Sequence, residues 1–183
     1  MKKIKCGLFH GRFQHLHLGH QRIIDKMMSE CDYPVLLVGS AQEKRTEKNP
    51  FNVQERLEII TTIYGPPHNN RLRIGFYPDL NIGVCQESPN YQNWGNRTIG
   101  FCKWFAGMLP DVIYGGPDAE ISIFQECTQQ FEYRILDRND DAPSGTKVRQ
   151  CLRDGNKDDW KNMVDPKLHD HYGFFKAKVL ESS

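Results

Sequence analysis

The chain has 183 residues, a length that suits one domain and suffices to bury about 70% of its unfolded surface without disulfides or metals as staples. Its 24 Lys and Arg nearly balance 23 Asp and Glu, so no overall field favours nucleic acid or an anionic membrane, and phosphate recognition must be local. No apolar stretch is long enough to span a bilayer, and six scattered cysteines form no CxxC pair, the usage expected of reduced thiols in a cytoplasmic protein.

Met1 to Cys6 starts as a secretory signal would, but no apolar run follows. Ile4 to Phe9 reads as a short buried strand. Ile23, Ile24, Met27, Met28 and Cys31 then recur at helical spacing, which predicts a helix from about Leu18. Tyr33 to Val38 is the unbroken apolar run of a strand buried on both faces, ending at Gly39-Ser40. After a polar segment, Ala41 to Pro50, Asn52 and Glu55 form a capping pattern for a second helix, whose stripe of Val53, Leu57, Ile60 and Tyr64 closes at Gly65-Pro66-Pro67. Leu72 to Tyr77 alternates as a third strand. Pro78 to Gly95 lacks periodicity and reads as a long loop of the kind that carries function. Ile99, Cys102, Phe105, Ala106 and Leu109 mark the next helix and Asp111 to Tyr114 a fourth strand before Gly115-Gly116. Residues Asp118 to Gln130 read as helix and Phe131 to Asp137 as a fifth strand.

Strands alternating with helices predict a Rossmann-like, doubly wound parallel sheet of five strands in the order 3-2-1-4-5, followed by a small helical part over about 144–183, all within one domain spanning 1–183. In such folds ligands bind beyond the carboxyl ends of the strands where strand order switches, here after the first and fourth strands.

The turn after the first strand, Gly11-Arg12-Phe13-Gln14-His15-Leu16-His17-Leu18-Gly19-His20, leads directly into a helix N-terminus. Backbone N–H groups there lack intrahelical partners and the helix dipole favours an anion. Gly11 and Gly19 permit close backbone approach, Arg12, His17 and His20 offer donors to phosphate, and His17 and His20 share one side of the helix start. Both GxxxxGK[ST] and GxGxxG are absent from this turn. Four histidines between His10 and His20 also suit a metal cluster, although no acidic or cysteine ligand sits at matching spacing. His10 and His15 read as structural or supporting. Late in the chain, Ala142-Pro143-Ser144-Gly145-Thr146-Lys147-Val148-Arg149 places Ser144 as the cap of a helix with Lys147 and Arg149 in its first two turns, again near an anion site.

The pair HxGH and SxTxxR resembles the two-part signature of the nucleotidyltransferase superfamily. Gly-Arg-Phe-Gln-x-x-His-x-Gly-His, with Gly39-Ser40-Ala41-Gln42-Glu43, Asn49-Pro50-Phe51, Glu55-Arg56, Pro78-Asp79-Leu80-Asn81 and a downstream Trp94, is similar more narrowly to the archaeal-type nicotinamide mononucleotide (NMN) adenylyltransferases, from about Gly7 to Gly173. His15-Leu16 stands where proline and an aromatic are usual in that family, a change read as packing. The resemblance implies that Arg12, His17, His20 and Arg149 handle ATP phosphates, within an ATP site of Gly11, Phe13, Gly19, Gly115, Ser144, Thr146 and Lys147. It also implies an acceptor site of Ser40, Gln42, Asp79, Asn81, Asn93 and Trp94, with the indole stacked on nicotinamide. The segment between Asn81 and Trp94 is longer and more polar than the family's usual connection, so either Asn81 or Asn93 meets the carboxamide.

The expected reaction makes NAD and pyrophosphate from ATP and NMN. No protein-held metal is expected, and Mg²⁺ would be carried by ATP. No nucleic-acid or membrane partner is expected, and a homo-oligomer is. Three alternatives remain: adenylyl or cytidylyl transfer to another phosphorylated acceptor, a non-catalytic nucleotide-binding regulator, and a histidine-cluster metal binder.

Overall fold

Strand β1, Ile4–Gly11, is buried over most of its length and runs through the middle of the molecule. The computed structural model describes residues 4–66, 71–78, 90–116, 131–136 and 143–182, without the side chains of 90–93. In chain order β1 is followed by α1 (Leu18–Glu30), β2 (Cys31–Val38), α2 (Val53–Tyr64), β3 (Arg73–Phe76), α3 (Asn90–Ala106), β4 (Val112–Gly115) and β5 (Glu132–Ile135). Three helices follow: α4 (Gly145–Asp154), α5 (Lys157–Met163) and, after a 3-10 turn at Pro166–His171, α6 (Tyr172–Leu180).

The five strands form one sheet in the order β3-β2-β1-β4-β5 with every neighbouring pair parallel, as the alternation predicted. Side chains alternate across it and build two cores. Phe9, Leu36, Val38, Val112 and Tyr114 face α1, α2 and the carboxyl-terminal helices, whose Val148, Leu152, Trp160, Leu168, Phe175 and Val179 close the same cluster. Cys6, Leu8, Val35, Leu37 and Ile113 face α3 through Trp94, Ile99 and Cys102. The capping box of α2 is present in full, with the Asn52 side chain accepting from the Glu55 N–H and the Glu55 carboxylate from the Asn52 N–H, each at 2.9 Å.

Several boundaries differ from expectation. The long loop expected to reach Gly95 ends earlier, because α3 begins at Asn90 and stops at Ala106, short of Leu109. Its apolar stripe starts at Trp94 and is hidden in the sequence by Thr98, which is fully buried and donates its hydroxyl to the Trp94 carbonyl at 3.0 Å. Strand β5 is shorter than Phe131 to Asp137, and the helix expected over Asp118 to Gln130 lies outside the described residues. Among the described residues no helix is long and apolar enough to cross a membrane.

Candidate active site

At the carboxyl end of β1 the chain turns through residues 12–17 into α1, whose N-cap, His17, makes no side-chain cap hydrogen bond. The leading N–H groups of α1 are therefore not satisfied by a side chain of the N-cap residue, and a helix start of this kind can accept an anion. The His17 and His20 rings stack with centroids 3.8 Å apart and 23° between planes. Phe13 packs against His20. It is 1% exposed, has φ of 50°, and lies edge-on to both His20 (5.0 Å) and Phe9 (5.2 Å). A bulky residue in the left-handed region carries a backbone cost that the surrounding aromatic packing must hold in place.

The second motif comes up against the first. A Cβ on Gly19 would lie 3.1 Å from the His17 ring and 3.3 Å from the Pro143 carbonyl, so the segment before α4 sits on the first turn of α1. Ser144 caps α4 by accepting from the Lys147 N–H at 3.2 Å. Arg149 reaches back to donate to the Gln14 carbonyl at 2.6 Å. Its burial, with the Arg12 and Arg153 guanidiniums nearby, lowers its pKa from the usual guanidinium value, against a smaller opposing effect of Glu47. A desolvated guanidinium crowded by two others is stabilised by an anion, and it is found here between two helix N-termini. Arg12, Thr146 and Lys147 are exposed, and Gly115 closes β4 beside β1.

The site depends on two residues that sequence reasoning left without a role. Arg56, fully buried, donates to the carbonyls of Arg12 (2.9 Å), Gly39 (2.7 Å) and Ser40 (3.0 Å), and so ties the loops after β1 and β2 together. Its helical register with Ile60 and Ile63 was the available signal, since a cation on an apolar stripe is almost always paired. Gln14 exchanges two hydrogen bonds with the Phe51 backbone, at 2.8 and 2.9 Å, fixing the loop whose carbonyl Arg149 holds.

The four early histidines diverge. His10 lies against Trp94, while His15 is fully buried among Phe51, Trp160 and Phe175. His17 and His20 stand at the helix start. Among the described residues no three His, Cys, Asp or Glu side chains gather as a metal group.

Of the acceptor candidates, Ser40 is buried with φ of 46° and Gln42 is exposed. Trp94 is 8% exposed and sits within α3 rather than at the end of a loop. It is on the α3 side of β1, whereas Phe9, Phe13 and the histidine pair are on the α1 side. Asp79, Asn81 and the Asn93 side chain lie outside the described residues.

Residues 8–78 match the cytidylyltransferase-like family model. The chain is 38% identical over 161 residues to the nicotinamide-nucleotide adenylyltransferase of Pyrococcus horikoshii, covering 86% of this chain and 77% of that protein. The chain belongs to the nicotinamide-nucleotide adenylyltransferase family. The family's Thermococcus kodakarensis member is 27% identical over 163 residues, covering 88% of this chain and 78% of its own length. Among solved structures, a bifunctional NMN adenylyltransferase/ADP ribose pyrophosphatase from Francisella tularensis, complexed with AMP and a manganese ion, superposes with a TM-score of 0.71 at 20% identity. It covers 97% of this chain, which spans about half (51%) of that longer protein, and at that identity it supports the fold.

Proposed function

We propose that this chain transfers AMP from ATP to nicotinamide mononucleotide, giving NAD and pyrophosphate. The observation that carries the proposal is that the segment leading into α4 packs on the first turn of α1, with Arg149 donating to the Gln14 carbonyl just ahead of the stacked His17 and His20, in a member of this family.

The chemistry needs no nucleophile from the protein. The 5′-phosphate of the mononucleotide has its second pKa near 6 and is mostly dianionic at neutral pH. One of its oxygens attacks the α-phosphorus of ATP. A new P–O bond forms, the bond from the α-phosphorus to the bridging oxygen breaks, and its electron pair leaves with pyrophosphate. His17 and His20 donate N–H groups to α- and β-phosphate oxygens as charge moves onto them. Arg149 and Arg12 stabilise the leaving pyrophosphate, with Gly11, Phe13, Gly19, Gly115, Ser144, Thr146 and Lys147 forming the walls of the ATP site. Mg²⁺ carried by ATP would neutralise part of its phosphate charge.

The acceptor binds through Ser40, Gln42, Asp79, Asn81, Asn93 and Trp94, its ring against the Trp94 indole, which lies on the α3 side of β1. The chain acts as one nucleotidyltransferase domain over 1–183, a reading supported by the continuous core from Phe9 to Val179. It works as a cytoplasmic homo-oligomer.

The match to a cytidylyltransferase-like model keeps a second reading, nucleotidyl transfer to another phosphorylated acceptor. Pyrophosphate release across a panel of nucleotides and acceptors separates the two. ATP with NMN should turn over best; turnover confined to pantetheine phosphate, flavin mononucleotide or a CTP-dependent acceptor would overturn the NMN assignment.

A further inference from the structure

Cys6 and Leu8 project from β1 into the apolar cluster under α3. His10 continues that row at the carboxyl end of the strand, where packing alone would be met by an aliphatic side chain. Its ring is 8% exposed and stands edge-on to the Trp94 indole, with centroids 4.9 Å apart and 75° between planes, and Tyr77 flanks it at 6.5 Å and 81°. The other wall is backbone. A Cβ on Gly39 would lie 2.5 Å from His10 Nε2 and 2.8 Å from Cε1, so the imidazole fills the volume that any other residue at 39 would take. Gly39 itself is held, donating its N–H to the Gly11 carbonyl at 2.9 Å and accepting from Arg56 at 2.7 Å. Wedged between a fixed backbone and the indole, the ring dictates which orientation of Trp94 fits. An aliphatic residue at 10 would leave the notch beside Gly39 open and the indole free to turn into it.

We infer that His10 is a specificity-determining positioning residue of the acceptor site, setting the plane of Trp94 against which the flat base of a pyridine mononucleotide stacks. This rests on the reading of Trp94 as the acceptor platform. Because His10 acts on the α3 side of β1 and the stacked histidines on the α1 side, its effect falls on the acceptor and spares ATP.

The test is steady-state kinetics on the whole chain with each substrate varied in turn, for His10→Ala, His10→Phe, Gly39→Ala and Trp94→Ala, alongside melting temperatures. His10→Ala should raise KM for NMN about 3- to 10-fold, the scale of losing one aromatic pair, with kcat and KM for ATP within about twofold of wild type. His10→Phe keeps a ring in the notch and should restore the acceptor KM. Gly39→Ala displaces the imidazole without removing it and should reproduce His10→Ala, so the two decide the matter even if His10→Ala folds poorly. Equal rises in both KM values, or no difference between the alanine and phenylalanine variants, would overturn the inference. If Trp94→Ala raises the acceptor KM while His10→Ala leaves it unchanged, only this inference falls. If Trp94→Ala leaves it unchanged too, or NMN is not an acceptor, the acceptor-site reading falls and this inference with it.

Discussion

His17 and His20, three residues apart, stack face to face with ring centroids 3.8 Å apart at the N-terminus of α1. His17 is 2% exposed whereas His20 is half-buried, so the two contribute differently. His17 packs against Gly19, and on the proposed reading both rings donate to phosphate oxygens, His20 being the more exposed of the two.

On this geometry His20→Ala should lower kcat by about 10²- to 10³-fold, the loss of one donor to charge that grows in the transition state, with little change in melting temperature. Turnover and thermal melts of the purified variant check it. A variant with wild-type kcat would remove His20 from the chemistry.

Arg56 carries a structural prediction. Arg56→Met keeps the apolar stem but leaves the carbonyls of Arg12, Gly39 and Ser40 without their donor, and should cost about 3–5 kcal/mol in urea unfolding. A loss under about 1 kcal/mol would mean that the two loops are held by other contacts.

His15 makes stability depend on pH. Burial pushes its pKa down from 6.5 to about 4, the nearby Arg149 charge adds to this, and the hydrogen bond to the Leu16 carbonyl at 2.7 Å opposes it. The unfolded chain therefore binds a proton more readily than the native one between those values. Stability is full above about pH 6.5 and falls as pH drops toward 4, by up to about 3 kcal/mol in total. Glu30 and Glu55, whose pKa values are lowered by their basic partners and hydrogen bonds despite the opposing effect of burial, begin to lose their contributions as pH falls through the ordinary carboxylate value of 4.5. Denaturant unfolding from pH 7 to 4 should show this slope, and His15→Phe should flatten it. An unchanged slope in the variant would place the titration elsewhere.

The strand order was readable because β2 is apolar without interruption from Tyr33 to Val38 and every described strand is separated from the next by a helical pattern or an unpatterned segment. The anion turn was readable because Gly11, Gly19 and the histidine spacing are local features of one short stretch. What escaped depended on contacts that the linear pattern of residues does not display. The start of α3 was masked by Thr98, whose polarity is cancelled by a bond to its own helix. Arg56 looks like a surface cation until the three carbonyls it serves are assembled from two separate loops. His10 and Gly39 lie 29 positions apart, and only the parallel register of β1 with β2 brings one ring into the space the other residue leaves empty.

On the proposed mechanism the chain positions two phosphates for direct displacement and supplies no nucleophile. The stereochemical course of transfer from ATP made chiral with sulfur at the α-phosphorus tests this most directly. A single in-line attack by the mononucleotide phosphate predicts inversion at phosphorus in the NAD product. Retention would require two displacements through an adenylylated side chain, with His17 or His20 the first suspects, and would contradict the account.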